Sequence, residues 1–287
     1  MSNKVYNVVL SKIMDQLESG VVPWRQPWQS SACPANLVSR RPYRGVNRLV
    51  LAMSGFSSRY WLSAKQISDL GGRVKDGKAF TPVVFWRWKN EEADDRPSYP
   101  TCRYYRVYNL EQCEGIEPPV EPERPTLSPI QACEALLHQY QNGPTIEASK
   151  DCAYYRPSAD LVGIPDMRDF NHAEGYYATL LHELIHSTGH SSRLARPGLM
   201  SVERFGSQVY SREELVAELG AAYLCADVGI MPATIDQSAS YIAGWLEPLR
   251  KDPRILIQAA QQAQKAADWI KGERGKTQDH EEAPNGN

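Results

Sequence analysis

The stretch His182-Glu183-Leu184-Ile185-His186 constrains this chain more than any other feature of its sequence. Two histidines four residues apart on an α-helix lie one turn apart on the same face, where their imidazoles can bind one Zn²⁺ ion. The intervening Glu183 can then act as the general base for a hydrolytic water. Apolar residues recur at helical spacing before and through this stretch. We therefore predict an amphipathic helix of the zinc metallopeptidase type, with His182 and His186 as metal ligands and Glu183 as the catalytic residue.

A catalytic zinc ion needs a third protein ligand, for which the sequence offers three candidates. Glu214 and Glu218 lie one turn apart in a second predicted helix, so either could bind the metal while the other accepts the second N–H of a ligand histidine. We assign Glu214 as the ligand and Glu218 as the orienting carboxylate. The alternative for Glu214 is a capping box with Ser211 at the start of that helix. His190 is the third candidate, but it lies about 12 Å from His182 along a straight helix and needs a sharp bend.

The charge of the chain is unevenly distributed, although the net charge of the 287 residues is only −2. Residues 1–110 contain 17 Lys and Arg against 8 Asp and Glu, whereas residues 111–287 contain 15 and 26. The stretch 19–68 contains no acidic residue. A basic half joined to an acidic half predicts two modules, the first of which binds a polyanion.

Five of the seven tryptophans lie in the first 88 residues, where they are interleaved with arginine and lysine. Aromatic rings that stack on bases, beside cations that follow the phosphates, give sequence-tolerant binding of single-stranded nucleic acid. The alternative is that these rings fill a small core. The candidate nucleic-acid-binding residues are Trp24, Arg25, Trp28, Arg40, Arg41, Tyr43, Arg44, Arg48, Tyr60, Trp61 and Lys65.

Composition also predicts the domain organisation. Short helices and a hairpin of two bulky strands indicate a first domain over residues 1–112. A linker rich in Pro and Glu follows over 113–128, and several helices with two short strands indicate a second domain over 129–272. Residues 273–287 are polar and are predicted to be disordered. The expected fold class is α+β, with a small basic α+β domain followed by a mainly helical domain that carries a small sheet.

Several features favour a cytoplasmic location. The sequence contains no run of 18 apolar residues, so no membrane-spanning helix is expected. Residues 1–20 have the pattern of an amphipathic helix without the apolar block of a signal peptide. The six cysteines are scattered without a CxxC pair, as is typical of reduced thiols.

Longer blocks of the sequence resemble the ArdC-type antirestriction proteins of conjugative plasmids. The blocks that resemble the single-stranded-DNA-binding domain of this family are 22–28, 41–47, 60–62, 71–74 and 81–86. The blocks that resemble its zincin-like metallopeptidase domain are 177–190, 193–194, 210–218 and 240–246. Similar N-terminal domains also occur on plasmid primases. The resemblance implies a cytoplasmic protein that protects incoming plasmid DNA from host restriction during conjugation.

Three functions are consistent with these patterns. The first is a zinc protease tethered to single-stranded DNA, with a host protein as its substrate. The second is a DNA-binding shield whose metal domain is structural or serves interaction only. The third is a metal-dependent nuclease, because the same activated water could attack a phosphodiester. A structural zinc site is usually closed by four protein ligands, so three ligands together with Glu183 favour hydrolytic chemistry.

Overall fold

The computed structural model describes residues 3–25, 33–88, 100–120, 128–200, 208–231 and 239–273. Trp28, the side chain of Arg25, residues 121–127 of the predicted linker and the predicted tail from residue 274 lie outside the described residues.

The N-terminal module combines three helices with a four-stranded sheet. The helices are α1 (Asn3–Glu18), α2 (Gly45–Ala52) and α3 (Ala64–Asp69). The strands are β1 (Ala35–Asn36), β2 (Tyr60–Ser63), β3 (Arg73–Val74), β4 (Thr81–Trp88), β5 (Pro100–Asn109) and β6 (Cys113–Glu114). The sheet order is β1-β2-β5-β4, and β3 pairs with β6. The predicted hairpin is confirmed, since β4 and β5 pair antiparallel from Thr81 opposite Val107 to Trp88 opposite Pro100.

Asn47 joins α2 to this sheet. Its side-chain amide donates to the carbonyl of Val84 and accepts from the N–H of Val84, both at 2.7 Å. Asn47 is buried, and its amide therefore satisfies backbone groups of the edge strand β4 that would otherwise be buried without partners. The side chain acts as a short substitute for a further strand and holds α2 against β4.

The C-terminal module is mainly helical. Its helices are α4 (Pro129–Gln139), α5 (Ala173–Ser187), α6 (Pro197–Met200), α7 (Gln208–Val228), α8 (Ala239–Lys251) and α9 (Arg254–Ile270). Its strands are β7 (Thr145–Ala148), β8 (Tyr154–Arg156) and β9 (Leu161–Ile164), in the order β7-β9-β8. The two predicted strands are confirmed as β8 and β9. The strand β7 was not predicted; it is only four residues long, and all four are exposed.

One hydrophobic cluster crosses the boundary between the modules. It contains Ile13 of α1 and Leu49 of α2 together with Leu181 of α5, Leu219 of α7 and Ala260 of α9. The helix α2 lies on α9, which packs in turn against α7 and α5. The modules therefore share a core, although each has its own sheet. None of the described helices is long and apolar enough to cross a membrane, and the described cysteines Cys33, Cys113, Cys133, Cys152 and Cys225 are free thiols.

The interface between the modules contains two arginines that were predicted to bind nucleic acid. Arg44 forms an ion pair with Asp268 of α9. The side chain of Arg48 is only 3% exposed and forms an ion pair with Asp227 of α7. A buried guanidinium that is already paired cannot reach a phosphate. This corrects the prediction for Arg48, and it gives Arg44 a partner inside the protein.

Four of the predicted base-stacking rings belong to the core. Trp24 and Trp61 are 0% and 1% exposed, and Tyr43 and Tyr60 are 5% and 8% exposed. Trp61 packs edge-on against Phe56 with their ring centroids 5.5 Å apart. A base cannot stack on a ring whose faces are covered by protein. The core alternative therefore holds for these four side chains, which corrects their prediction as stacking residues.

Candidate metal centre and nucleic-acid surface

Two helices bring the predicted metal ligands together. The helix α5 carries His182 and His186, and α7 carries Glu214. The helices pack very closely at Gly220 of α7, where an added Cβ would lie 2.8 Å from Cδ1 of Ile185. A residue without a side chain at this position lets the backbone of α7 approach α5. The close packing places a carboxylate of one helix beside the imidazoles of the other.

The three side chains converge at distances that suit a metal ion. Oε2 of Glu214 lies 3.6 Å from Nε2 of His182, and Oε1 lies 3.4 Å from Nε2 of His186. One donor atom from each of the three residues lies within 4.8 Å of the others. Ligand atoms bound at about 2.0–2.1 Å to a tetrahedral zinc ion are roughly 3.3 Å apart. The donor set of two imidazoles and one carboxylate therefore fits a divalent transition metal in chemistry and in spacing.

The electrostatics of the site favour a cation. Burial by itself lowers the pKa of His186, but the neighbouring carboxylates of Glu213 and Glu214 outweigh burial and raise this pKa to about 10. Burial raises the pKa of Glu214, but the adjacent histidines outweigh it and hold this pKa well below its ordinary range. In the metal-free protein, negative charge thus surrounds the imidazoles, and a divalent cation can take the place of the bound proton.

The structure also bears on the alternatives for the third ligand. The helix α7 already begins at Gln208, so Ser211 lies inside this helix and not at its N-terminal boundary. His190 lies beyond the end of α5, where its Nδ1 is 2.8 Å from Oγ of Ser192. The one group of described residues able to hold a metal consists of His182, His186 and Glu214.

Glu183 and Glu218 complete the predicted set. Glu183 follows His182 in α5 and is half-buried, and its charge acts on His186. Glu218 is buried one turn beyond Glu214 in α7. The general-base role of Glu183 and the orienting role of Glu218 stay predictions.

Sequence reasoning missed two residues beside the site. Oε1 of Glu213 lies 3.4 Å from Nδ1 of His186, on the other side of the ring from Glu214. Arg196 pairs with Glu213 at 2.5 Å. The sequence shows that Glu213 precedes Glu214. It contains no signal that Arg196 lies beside Glu213.

Three of the predicted nucleic-acid-binding residues are exposed. Arg40, Arg41 and Lys65 present their side chains to solvent. The guanidinium carbon of Arg40 lies 5.0 Å from the ring centroid of Tyr60, over which Arg59 also lies, at 5.5 Å. Arg40 adopts a left-handed backbone conformation with φ of 59°, which is uncommon for a residue with a side chain. These contacts hold two arginines against the ring of Tyr60, which is itself only 8% exposed.

The turn that contains Arg40 is also joined to α3. The side-chain amide of Asn36 donates to Oε1 of Gln66 at 3.0 Å and accepts from its Nε2 at 3.2 Å. The neighbouring Lys65 pairs with Asp69 in an exposed i,i+4 contact at 2.6 Å. Such an exposed pair contributes little and is easily exchanged for a phosphate. The side chains of Arg40, Arg41, Arg59 and Lys65 form what we call the basic turn.

Each of the two modules matches a known protein family. Residues 3–114 match the family described as the N-terminal domain of the anti-restriction factor ArdC, and residues 131–262 match a family of zincin-like metallopeptidases. The fold and the site together define a protein with a zincin-like metallopeptidase domain behind an ArdC-type N-terminal domain.

Solved structures and a full-length relative agree with this architecture. The antirestriction protein ArdC of plasmid R388 is 34% identical, and its metal-free crystal structure matches with a TM-score of 0.74 over 92% of this chain and 96% of that chain. Its Mn(II)-bound structure matches with a TM-score of 0.75 over 94% and 98% of the two chains. The protein y4eC of Sinorhizobium fredii is 34% identical over 96% of this chain and 94% of its own length. The chain belongs to the ArdC-type antirestriction family.

Two DNA primases named TraC from Escherichia coli contain a similar region. They are 33% identical to this chain over 91% and 92% of its residues. The chain spans only 26% and 20% of the length of these primases.

Proposed function

We propose that this protein binds single-stranded DNA through its N-terminal module, holds one zinc ion at His182, His186 and Glu214, and protects incoming plasmid DNA from host restriction during conjugation. Family membership supports the antirestriction role. The observation that carries the metal site is the meeting of two imidazoles and one carboxylate at distances of 3.4 and 3.6 Å. The proposed location is the cytoplasm, where the entering strand first meets restriction enzymes.

The chemistry proposed for the site is hydrolysis. When bound, a zinc ion would supply Lewis acidity for the activation of a water molecule and of a carbonyl group. Glu183, on the same helix as the two histidines, accepts a proton from the water and delivers it to the leaving amine. Three protein ligands leave a position open for water and substrate, whereas a structural zinc site is usually closed by four. A host protein near the entering strand is the proposed substrate.

The proposed DNA contact is mainly electrostatic. Arg40, Arg41 and Lys65 are exposed, whereas Trp24 and Trp61 are buried. Cations of the basic turn therefore follow the phosphates, and the predicted rings that the structure describes are buried away from the bases. Arg25 and Trp28 stay candidates for further contacts.

A second candidate function is a stoichiometric shield without catalysis. The observation in its favour is the core shared between the modules, because the metal domain could then serve as a scaffold for the DNA-binding module. A protein that coats the entering strand can delay nuclease access without turnover.

The experiment that separates the two candidates compares three variants in a restriction-protection assay and in hydrolysis of a fluorogenic peptide library. Glu183→Gln keeps both histidines and should retain the metal, but it should lower hydrolysis by about 10²–10⁴-fold. If protection depends on proteolysis, this variant loses it. If protection survives in Glu183→Gln but fails in Arg40→Ala/Arg41→Ala, DNA binding alone accounts for it. Arg168→Ala, which removes an exposed arginine of the second module, is the control.

A further inference from the structure

His186 is bracketed by two successive carboxylates of α7. Oε1 of Glu214 lies 3.4 Å from Nε2 of His186, and Oε1 of Glu213 lies 3.4 Å from Nδ1. The two ring nitrogens therefore face different partners, and Nε2 is the nitrogen that belongs to the group of converging metal donors. Nδ1 is buried and has no hydrogen bond of good geometry. The carboxylate of Glu213 is the group placed to accept a hydrogen bond from Nδ1–H when Nε2 binds a metal.

Glu213 is itself held by Arg196. Nε of Arg196 lies 3.1 and 3.0 Å from the two carboxylate oxygens, and Nη2 lies 2.5 Å from Oε1. Both side chains are almost fully buried, at 6% exposure for Glu213 and 4% for Arg196. A planar guanidinium with several donors on one carboxylate restricts the rotation of that carboxylate far more than a single contact would.

The same guanidinium also holds the end of the metal-binding helix. Arg196 donates to Oγ1 of Thr188 at 2.6 Å and to the carbonyls of Ile185 and His186 at 2.8 and 3.3 Å. It passes so close to Gly189 that an added Cβ there would lie 3.0 Å from its Cζ. Arg196 therefore connects the backbone of the ligand helix, the turn after it and the carboxylate that faces the ligand ring.

Arg193 provides a comparison on the same helix end. Its Nε donates to the carbonyl of Ser187 at 2.7 Å, and its Nη1 donates to the carbonyl of Asn142 at 3.0 Å. It pairs with Asp160, which is not among the group of metal donors. Arg193 thus holds the end of α5, as Arg196 does. Its carboxylate partner, however, does not face a ligand histidine.

We propose that Glu213 is the carboxylate that orients His186 for binding a metal through Nε2, and that Arg196 is the positioning residue that holds Glu213. This proposal rests on the proposed metal site. In metal sites, the partner of a ligand histidine sets its tautomer and ring orientation, and loss of such a partner typically weakens metal affinity by about 10–100-fold. The pair Glu213–Arg196 thereby adds a second carboxylate to Glu218, which spacing along the sequence assigned to the orientation of a ligand histidine.

The test measures the affinity of the full-length protein for Zn²⁺ by competition with a chelator. Glu213→Gln keeps the shape of the side chain and should weaken binding by about 10–100-fold. Arg196→Lys should weaken it too, because an ammonium cannot replace the fork of contacts on Glu213. Arg193→Lys should lower the stability of the metal-free protein without changing the affinity. The visible spectrum of the Co²⁺-loaded protein should shift in the Glu213 and Arg196 variants and not in the Arg193 variant.

A double-variant cycle separates a role through Glu213 from a general structural role. If Arg196 acts through Glu213, Glu213→Gln/Arg196→Lys binds about as weakly as Glu213→Gln alone. Additive losses would overturn the role of Arg196, and an unchanged affinity in Glu213→Gln would overturn the role of Glu213. His186→Ala and Glu214→Gln report on the site itself. If these two variants still bind zinc tightly, the proposed metal site fails; if they lose it while Glu213→Gln does not, only the inference about Glu213 fails.

Discussion

Arg48 of α2 and Asp227 of α7 form an ion pair across the boundary between the two modules, with 2.6 Å between Nη2 and Oδ1. Nη2 of Arg48 also donates to the carbonyl of Tyr223 at 2.8 Å, and the hydroxyl of Tyr223 donates to the carbonyl of Gly45 at 3.0 Å. The helix α7 that receives these contacts also carries Glu214. The N-terminal module therefore holds the helix that supplies the acidic member of the metal site.

This interface predicts that the two modules unfold together. Arg48→Ala removes a buried charge from a paired network, which should lower the free energy of unfolding by about 3 kcal/mol. Urea unfolding followed by tryptophan fluorescence and by circular dichroism measures this change. The control Lys65→Ala removes an exposed pair and should cost less than about 1 kcal/mol. Two separate transitions in the wild-type protein would contradict a shared core.

The same ion pair predicts a pH dependence of stability. Burial raises the pKa of Asp227, but Arg48 and Lys271 outweigh burial and hold this pKa below its ordinary value. The pair therefore stabilises the fold at pH values above the unfolded-state pKa of about 3.9, and this contribution is lost as the pH falls through the lower folded-state value. Asp227→Asn should be less stable than the wild type at pH 7, and the difference should shrink below pH 4. A constant difference between pH 7 and pH 3 would contradict this assignment.

The close approach of α5 and α7 predicts a steric effect at Gly220. An added methyl group would meet Ile185 at 2.8 Å, so Gly220→Ala should push the helices apart and cost about 1–3 kcal/mol. Because the two helices carry opposite sides of the metal site, its zinc affinity should fall as well. Gly244 of α8 is the matched control, since a Cβ added there would have no neighbour within 4 Å. Gly244→Ala should instead gain up to about 1 kcal/mol from helix propensity.

Metal binding should stabilise the folded protein. A ligand that binds only the folded state contributes about 2.7 kcal/mol at a free concentration of 100 times its Kd. Calorimetry should therefore show a higher Tm for the wild-type protein with zinc than without it. His186→Ala should lose this shift, whereas His138→Ala, which changes an exposed histidine of α4, should keep it. An equal shift in both variants would place the metal elsewhere.

The basic turn predicts how DNA binding responds to salt. For single strands, the slope of log K against log salt changes by about 0.7 for each phosphate contact. Arg40→Ala/Arg41→Ala should therefore weaken binding of an oligonucleotide to the full-length protein and reduce this slope by about 1.4. Fluorescence anisotropy at several salt concentrations measures both quantities. Arg168→Ala should change neither, and an unchanged slope in the double variant would exclude the basic turn.

The sequence by itself determined the features that depend on short spacing. His182 and His186 share one helix face because four residues make about one turn, whatever surrounds the helix. The hairpin of β4 and β5 followed from two runs of bulky residues on either side of a polar loop. The uneven distribution of charge between the two halves followed directly from the order of residues in the sequence. Each of these features is local, so neighbouring residues contain the information that specifies it.

Only the tertiary structure decided which side chains meet across the chain. Glu213, Glu214 and Glu218 all lie on α7, and which of them faces His186 depends on how packing at Gly220 rotates that helix against α5. Arg48 cannot be distinguished from Arg40 by composition, but its partner Asp227 lies 179 residues further along the chain. Burial turns one arginine into an interface residue and leaves the other exposed. The physical reason is that core packing selects these partners, and packing depends on residues far apart in sequence.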